Sequence, residues 1–217
     1  MRKTSWLIAA LFSLSVAPSV TSAQSAKEFD DSWFWGVKAG VSTFSPTLGS
    51  THSTASYGAE WLITRTRAGL YASFDEANVS TTSAVFDASA DNGFRPVSVD
   101  KMHRITVAAL AFPWTFGRVR PYAGLGFTLN VIGSATPQLG ASESEVSGDV
   151  AARIDDRRSQ SAILGMGGVQ VQFNKLAVFG QASVAPASAN FLLNNSALGF
   201  FEAGVRYNFG SAREGLR

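Results

Sequence analysis

The strongest constraint on the fold is a two-residue repeat of apolar side chains near both ends of the sequence. Every odd-numbered residue is apolar from Trp33 to Val41 and again from Phe201 to Phe209. A period of two is typical of a β-strand that presents one apolar face. After the first 23 residues, the longest apolar run covers only residues 107–112, far short of the ~20 residues that a membrane-spanning helix needs. If the chain enters a membrane, it therefore has to do so as a closed barrel.

Eight segments of strand length follow one another along the chain, and their connections alternate in length. The segments lie at residues 33–43, 55–64, 67–76, 101–114, 119–132, 159–173, 176–186 and 201–209. Tight connections at 65–66, 115–118 and 174–175 alternate with long ones at 44–54, 77–100, 133–158 and 187–197. We predict an all-β fold, an eight-stranded antiparallel up-and-down transmembrane β-barrel with short periplasmic turns and long external loops. The loop at 133–158, which is rich in Gly, Ser and charge, is expected to be weakly ordered.

The N-terminal segment is typical of a cleavable signal peptide. Arg2 and Lys3 precede an apolar stretch at residues 6–17, and the small residues Thr21-Ser22-Ala23 follow it. We predict export through the Sec pathway with cleavage after Ala23. The chain then divides into a signal peptide at 1–23, a barrel at 24–209 and a short C-terminal extension at 210–217. An N-terminal membrane anchor is the alternative, but the apolar stretch is shorter than a spanning helix.

The overall composition excludes several classes of function. Arg2 and Lys3 account for the formal net charge of +2, so the remaining chain is balanced and no nucleic-acid partner is expected. The chain has no cysteine, which rules out a disulfide framework and a thiolate metal site. Charged residues make up 16% of the chain, below the ~25% typical of soluble domains. We expect neither a cofactor nor a metal.

Several charged residues share strand faces with small or polar residues. In a soluble barrel of lipocalin type these faces would point outward to water, whereas a membrane barrel has to turn them inward, because an Arg or Lys facing lipid at the midplane costs ~2–4 kcal/mol. Folding the first two strands about residue 49 sets Lys38 opposite Glu60, and closing the barrel brings the last strand close to Lys38. We therefore predict a structural cluster in a narrow, filled lumen, with a gated ion path as the alternative. Its members are Lys38, Glu60, Arg104, Glu202 and Arg206.

Large aromatic residues fall at one end of the predicted strands. Amphipathic rings prefer a membrane–water interface, so this pattern predicts a girdle at the periplasmic side. The alternative is an aromatic core of a soluble protein, for which the rings should be scattered along the strands. The predicted girdle consists of Trp33, Trp35, Trp61, Trp114, Tyr207 and Phe209.

Three short stretches resemble known bacterial outer-membrane proteins. RPYAGLGF at 120–127 resembles a strand of the OmpA-like and OmpW-like eight-stranded barrel families. FWGVKAG at 34–40 resembles the first strand of OmpW-like proteins, and GVRYNF at 204–209 resembles the aromatic-terminated signal that the outer-membrane assembly machinery reads. The resemblance implies a bacterial outer-membrane location. The expected partners are the lipid bilayer, lipopolysaccharide and, through the C-terminal strand, the assembly machinery.

Two features depart from these families. The terminal signal usually closes the chain at its phenylalanine, whereas residues 210–217 follow Phe209. No Pro-Pro-Thr stretch precedes the Arg120-Pro121-Tyr122 motif, which argues against the hydrophobic channel of OmpW-like proteins. The families include structural, adhesive and transport members, so the resemblance leaves the biochemical role open.

The sequence favours a non-enzymatic role. The pair His52-Ser53 invites comparison with outer-membrane lipid A acyl-ester hydrolases, but it lies in a predicted loop without an evident acidic group to orient the imidazole. The leading hypothesis is a structural or surface-interacting protein whose long external loops form the contact surface. A soluble ligand-binding barrel is disfavoured. The main alternative is a narrow channel or transporter for small, apolar solutes, with a pocket lined by Leu110, Leu164, Met166 and Phe179.

Overall fold

The computed structural model describes residues 29–46, 50–90, 92–186, 188, 190–193 and 197–211. The predicted signal peptide at 1–23 lies outside these residues, as does most of the predicted C-terminal extension. The last strand continues to Ser211, so residues 210 and 211 belong to the barrel wall. Among the described residues, no helix is long and apolar enough to cross a bilayer.

Eight strands and one α-helix form within the described part of the chain. The strands are β1 Ser32–Phe44, β2 His52–Thr64, β3 Ala68–Phe86, β4 Phe94–Ala111, β5 Val119–Pro137, β6 Ser159–Phe173, β7 Leu176–Ala185 and β8 Leu198–Ser211, and the helix is α1 Gly148–Asp156. Each strand pairs antiparallel with its neighbours in sequence, and β8 pairs with β1 to close the barrel. The predicted fold class is confirmed.

The strands are strongly staggered around the wall. From Lys38, cross-strand partners followed through β2 to β5 lead to Gln160 on β6. Followed the other way, through Gly204 and Phe179, they lead to Gln170, ten residues further along β6. Such a stagger tilts the strands to the barrel axis, typically by ~35–45°. Side chains that meet across the lumen are therefore not direct ladder partners.

Strands β3, β4 and β5 extend much further at one end than the sequence indicated. β3 reaches Phe86 and β4 begins at Phe94, so most of the predicted loop 77–100 is a continuation of this hairpin. β5 likewise continues to Pro137. Ser, Thr and Asn obscure the alternation there, but Val85 and Val97 are fully buried. We call residues 79–86, 94–99 and 132–137 the β3–β5 extension; it stands at the end of the barrel with the long connections, here named the loop end.

The long connection between β5 and β6 contains a helix that the sequence analysis did not predict. Helix α1 lies within it, and Val150 and Ile154, four residues apart on one face, are buried. The helix packs on β3 and places this apolar face in the same core as Val85 and Val97. The opposite end of the barrel, with connections at 65–67, 112–118 and 174–175, is here named the turn end.

Candidate functional site: the lumen and the loop end

The barrel carries its apolar residues outside and its charges inside. Large outward side chains such as Val37, Leu125 and Ile163 are more than 60% exposed. The charged strand residues Lys38, Glu60, Asp75, Arg104, Glu202 and Arg206 are at most 6% exposed. A soluble barrel would show the reverse arrangement. This sidedness is typical of a transmembrane barrel, whose outer face meets lipid.

Four of the luminal charges form a closed ring of alternating sign. The Lys38 ammonium lies 3.0 Å from Asp75 Oδ1 and 3.0 Å from Glu202 Oε2. Arg104 Nη2 donates to Asp75 Oδ2 at 2.9 Å and to Glu202 Oε1. Two cations and two anions thus compensate each other away from water. A buried charge requires this kind of pairing, because an isolated ion in the interior carries a large desolvation penalty.

A second ion pair lies beside this ring. Arg206 Nε donates to Glu60 Oε1, and Arg206 Nη1 donates to Gln170 Oε1 at 2.7 Å. The guanidinium also stacks on the Phe179 ring, 3.8 Å from its centroid. Each polar group of this pair is therefore held by partners on other strands, which fixes Arg206 in one position in the lumen.

Tyrosine and glutamine side chains join the ring to the second pair. The Tyr71 hydroxyl accepts from Lys38 at 2.9 Å and donates to Glu60 at 3.2 Å. Gln181 Nε2 donates to Tyr71 and to Glu202, at 3.1 and 2.9 Å. The result is one continuous hydrogen-bonded network across the lumen.

The structure therefore unites all five members of the predicted cluster, but not through the predicted contact. The β1–β2 ladder sets Lys38 opposite Gly58 and Glu60 opposite Gly36, so the expected Lys38–Glu60 opposition was wrong. The observed β1–β2 register thus differs from the predicted one by two residues. Tyr71 bridges the two groups instead. Asp75, on the same inward face, was left out of the predicted cluster.

The predicted aromatic girdle lies at the turn end, on the outer face. The Trp61 ring is 5.3 Å from that of Trp33 and 6.1 Å from that of Trp35, and Tyr207 packs edge-on against Phe209 at 4.9 Å. Trp114 differs from the prediction in one respect. Strand β4 ends at Ala111, so Trp114 stands in the following turn and is 63% exposed.

An aromatic side chain from before the first strand closes the turn end of the lumen. Phe29 is fully buried and packs edge-on against Phe112, with ring centroids 4.8 Å apart. The Arg120 guanidinium lies 4.1 Å from the centroid of the Phe29 ring. The Thr64 hydroxyl donates to the Phe29 carbonyl oxygen and holds this residue in place.

Apolar side chains from the β7–β8 connection close the loop end. Phe191, Leu192 and Leu193 are at most 2% exposed and belong to the core that also contains the buried face of α1. The Leu192 carbonyl oxygen accepts from Ser83 Oγ at 2.5 Å, and its N–H donates to the Arg157 carbonyl at 3.3 Å. We call residues 190–193 the plug segment.

The residues expected to line an apolar pocket fill space instead. Leu110, Leu164, Met166 and Phe179 point inward as predicted, and each is at most 7% exposed. A methyl group on Gly124 would lie 2.4 Å from Leu110 Cδ2, so the absence of a side chain there makes room for the leucine. These four residues are therefore part of the packed interior.

A separate ion cluster fixes the connections of the loop end. Arg95 Nε donates to Asp87 at 2.5 Å, while its two terminal nitrogens bind both oxygens of Glu143 at 2.5 and 2.6 Å. Hydrogen bonds from Ser89 and Arg95 lower the pKa of the Asp87 carboxyl to about 2. Hydrogen bonds from Arg95 and the Gly140 N–H hold the pKa of Glu143 below its usual value. A surface cavity of about 600 Å³ lies beside this cluster, between residues 89–90 and 92–96 on one side and 138–143 on the other.

The two histidines lie far apart in the wall, each beside an aromatic ring. His52 stacks on the Phe44 ring at 6.1 Å, and His103 faces outward, with Nδ1 3.6 Å from Glu76 Oε2. Within the described residues, no group of three or more His, Asp or Glu side chains could hold a metal ion.

Comparisons with known proteins support the fold. No family model and no curated protein match this chain. The geometry defines the class as a closed eight-stranded barrel of the transmembrane type. Among solved structures, the chain is similar to Neisserial surface protein A, with 17% identity, a TM-score of 0.54, and coverage of 82% of this chain and 97% of that chain.

Weaker similarities extend to two other barrels. Ail, the attachment invasion locus protein of Yersinia pestis, is 11% identical and covers 83% of this chain and 99% of its own, with a TM-score of 0.47. The N-terminal β-barrel domain of Pseudomonas aeruginosa OprF is 13% identical and covers 83% and 98%, with a TM-score of 0.46. At such identities the similarity concerns the fold alone.

Proposed function

We propose that this protein is a sealed bacterial outer-membrane barrel that presents its loop end as an ordered contact surface outside the cell. The observation that carries the proposal is the filled lumen. A continuous polar network crosses it, Phe29 closes the turn end, and the plug segment closes the loop end. Eight-stranded barrels enclose a space that side chains can fill completely.

The outer face supports placement in a bilayer. From the aromatic girdle at the turn end up to the level of Glu76, the outward residues of the wall are apolar. The girdle itself lies where the turn end would meet the periplasmic interface. Both described ends of the chain, Phe29 and Ser211, lie at the turn end, which suits insertion from the periplasm. Recognition of β8 by the outer-membrane assembly machinery remains a prediction from its sequence, as does the absence of enzymatic activity.

The loop end supports the contact role. β3 continues ten residues beyond Glu76 to Phe86, ~33 Å along the strand at ~3.3 Å per residue. The β3–β5 extension is fixed by the ladder pairs from Thr81↔Val99 to Phe86↔Phe94, by helix α1 and by the Asp87–Arg95–Glu143 cluster. An ordered surface loses less conformational entropy on binding than a mobile loop does.

Conductance in planar bilayers tests the sealed barrel. We expect the folded protein to show no stable channel events, and heat-modifiable migration in detergent serves as the check on folding. The comparison variant lacks residues 190–193 and carries Phe29→Ala. These changes open both ends of the lumen and leave the ion network in place. Steady conduction of small solutes by the unaltered protein would favour the narrow-channel alternative over the sealed barrel.

A further inference from the structure

A β-bulge on the outer wall gathers three basic side chains. The β4–β5 ladder pairs Met102 with Ile132 and Lys101 with Ser134, which leaves Gly133 without a partner. A methyl group on Gly133 would lie 3.1 Å from His103 Nε2 and 3.3 Å from Lys101 Cβ. Arg158 Nη2 lies 3.5 Å from the Gly133 carbonyl oxygen. The His103 imidazole, the base of the Lys101 side chain and the Arg158 guanidinium therefore all lie beside Gly133, and we call these four residues the Gly133 site.

The basic groups of the Gly133 site keep donors for a ligand. Lys101 Nζ lies 3.1 Å from Glu76 Oε1, and Arg158 Nη1 lies 3.0 Å from Asp155 Oδ1. An ammonium has three N–H donors and a guanidinium has five, so one carboxylate contact does not exhaust either group. The side chains of Lys101, His103 and Arg158 are 54, 33 and 38% exposed, so a ligand can reach them from outside the barrel.

The neighbouring carboxylates orient the site without filling it. Glu76 accepts from the Tyr57 hydroxyl at 2.8 Å and lies 3.6 Å from His103 Nδ1. The His103 ring stacks on Phe74, with centroids 5.8 Å apart, and its Nε2 lies toward Gly133. Two further acids lie nearby: Asp100 accepts from Ser134 Oγ at 3.0 Å, and Asp155 Oδ1 lies 3.0 Å from Arg158 Nη1. Each of these acids is thus engaged with a hydroxyl or a basic group, and the His103 Nε2 and the Arg158 guanidinium lie beside Gly133.

The Gly133 site lies where the apolar band of the outer wall ends. Phe74 and Ile105 are outward and about half exposed, and the ionic group of Glu76, Lys101 and His103 follows them toward the loop end. In a membrane barrel this level is the boundary between hydrocarbon and headgroups. Lipid phosphates lie at that boundary, and clustered Lys and Arg residues there attract anionic headgroups.

We propose that Lys101, His103 and Arg158 bind a phosphate group of an outer-leaflet lipid over Gly133. The proposal rests on the membrane placement given under the proposed function and adds a specific lipid contact to it. A phosphate offers several acceptor oxygens, which suits donors that converge from β4 and from the segment before β6. Gly133 is essential to the arrangement because any side chain there would crowd the imidazole.

Lipid enrichment in nanodiscs tests the proposal. The folded protein is placed in discs of phosphate-free galactolipid containing a small fraction of phosphatidic acid, and bound phosphatidic acid is measured by native mass spectrometry. We expect Lys101→Gln with Arg158→Gln to lower the enrichment by about tenfold or more, because two of three basic groups are lost. Gly133→Val should lower it without changing any charge. Arg153→Gln, which removes an exposed arginine of α1, is the matched control and should leave it unchanged.

The outcomes separate the two proposals. Equal phosphatidic acid enrichment in the unaltered protein and in the Lys101/Arg158 variant would overturn the site, provided that both migrate as folded barrels. Saturable binding of inorganic phosphate at the Gly133 site, without phosphatidic acid enrichment, would overturn the lipid assignment in favour of a free anion. Failure of the unaltered protein to insert into the discs would instead contradict the proposed function.

Discussion

Two ion clusters of this protein use the same chemistry in different settings. The luminal network joins side chains from seven strands and is sealed from water, whereas the Asp87–Arg95–Glu143 cluster joins two neighbouring connections at the loop end. Loss of one luminal partner leaves a charge without compensation inside the barrel. At the loop end Arg95 and Asp87 are also buried, but Arg95 and Glu143 border a surface cavity and the Glu143 side chain is 30% exposed. The luminal network should therefore control the stability of the barrel, and the loop-end cluster the local order of the contact surface.

The largest effect is expected when one partner of the buried Glu60–Arg206 pair is removed. Arg206→Met should lower the free energy of unfolding by ~3–5 kcal/mol, because the Glu60 carboxylate then stays buried without its cation. Denaturant titration in phospholipid vesicles measures the change. The double variant Glu60→Gln/Arg206→Met is the control and should recover a large part of the loss. A single variant as stable as the unaltered protein would contradict the network account.

Truncation of a buried side chain in the plug segment should have the second-largest effect on stability. Leu192 is fully buried, so Leu192→Ala should cost about 2–4 kcal/mol through lost packing and the cavity that is left. Leu139→Ala is the matched control, because Leu139 is 50% exposed and its truncation should change stability by no more than ~0.5 kcal/mol. Equal unfolding curves for the two variants would show that residues 190–193 do not close the loop end.

A fall in pH should disorder the connections at the loop end before it unfolds the barrel. The pKa of Asp87 is lowered from 3.8 to about 2, so its contribution to loop order is complete above pH 3.8 and is lost as the pH falls toward 2. Pepsin digestion from about pH 4 to about pH 1.5 should therefore show rising cleavage near residues 138–147. Arg95→Met should cause the same cleavage already at pH 4, while the heat-modifiable barrel band persists. If cleavage does not change with pH across this window, the Asp87–Arg95–Glu143 cluster does not hold these connections in place.

The smallest effects are expected in the aromatic girdle. Trp35→Ala removes a ring that stacks on Trp61 and should cost about 0.5–1.5 kcal/mol. Trp114→Ala, in a turn and 63% exposed, should stay within ~0.5 kcal/mol of the unaltered protein. Denaturant titration in vesicles compares the two. If Trp114→Ala lowers the free energy of unfolding more than Trp35→Ala does, the interfacial anchor lies in the turn and not at the strand end.

The alternation of side chains was sufficient to predict the barrel and the inward face of its charges. It was not sufficient to predict which charges meet. A two-residue difference in the β1–β2 register moved the partner of Lys38 from Glu60 to Gly58. The contact between Lys38 and Glu202 also depends on the stagger of the whole wall, since Lys38 pairs with Gly204 along the ladder.

The loop end was the least predictable region, for a related reason. Ser, Thr and Asn at 77–100 suit a loop and a solvated strand equally well, so the buried alternation of Val85, Val97 and Val99 was hidden. In the β5–β6 connection, the four-residue spacing of Val150 and Ile154 was the available signal for a helix. The Gly133 site could not be predicted from the sequence, because Lys101, His103 and Arg158 approach Gly133 where a bulge in the ladder leaves it unpaired.

The direct test of the account is whether the two faces of one strand meet different surroundings. The chain has no cysteine, so single variants Leu125→Cys and Thr128→Cys on β5 can each carry one bimane label. Leu125 is 70% exposed on the outer face and Thr128 is 1% exposed in the lumen. In vesicles of brominated lipid, we expect strong quenching of the label at 125 and little at 128. Equal quenching at both positions, or quenching at 128 alone, would contradict a barrel with lipid outside and charges sealed within.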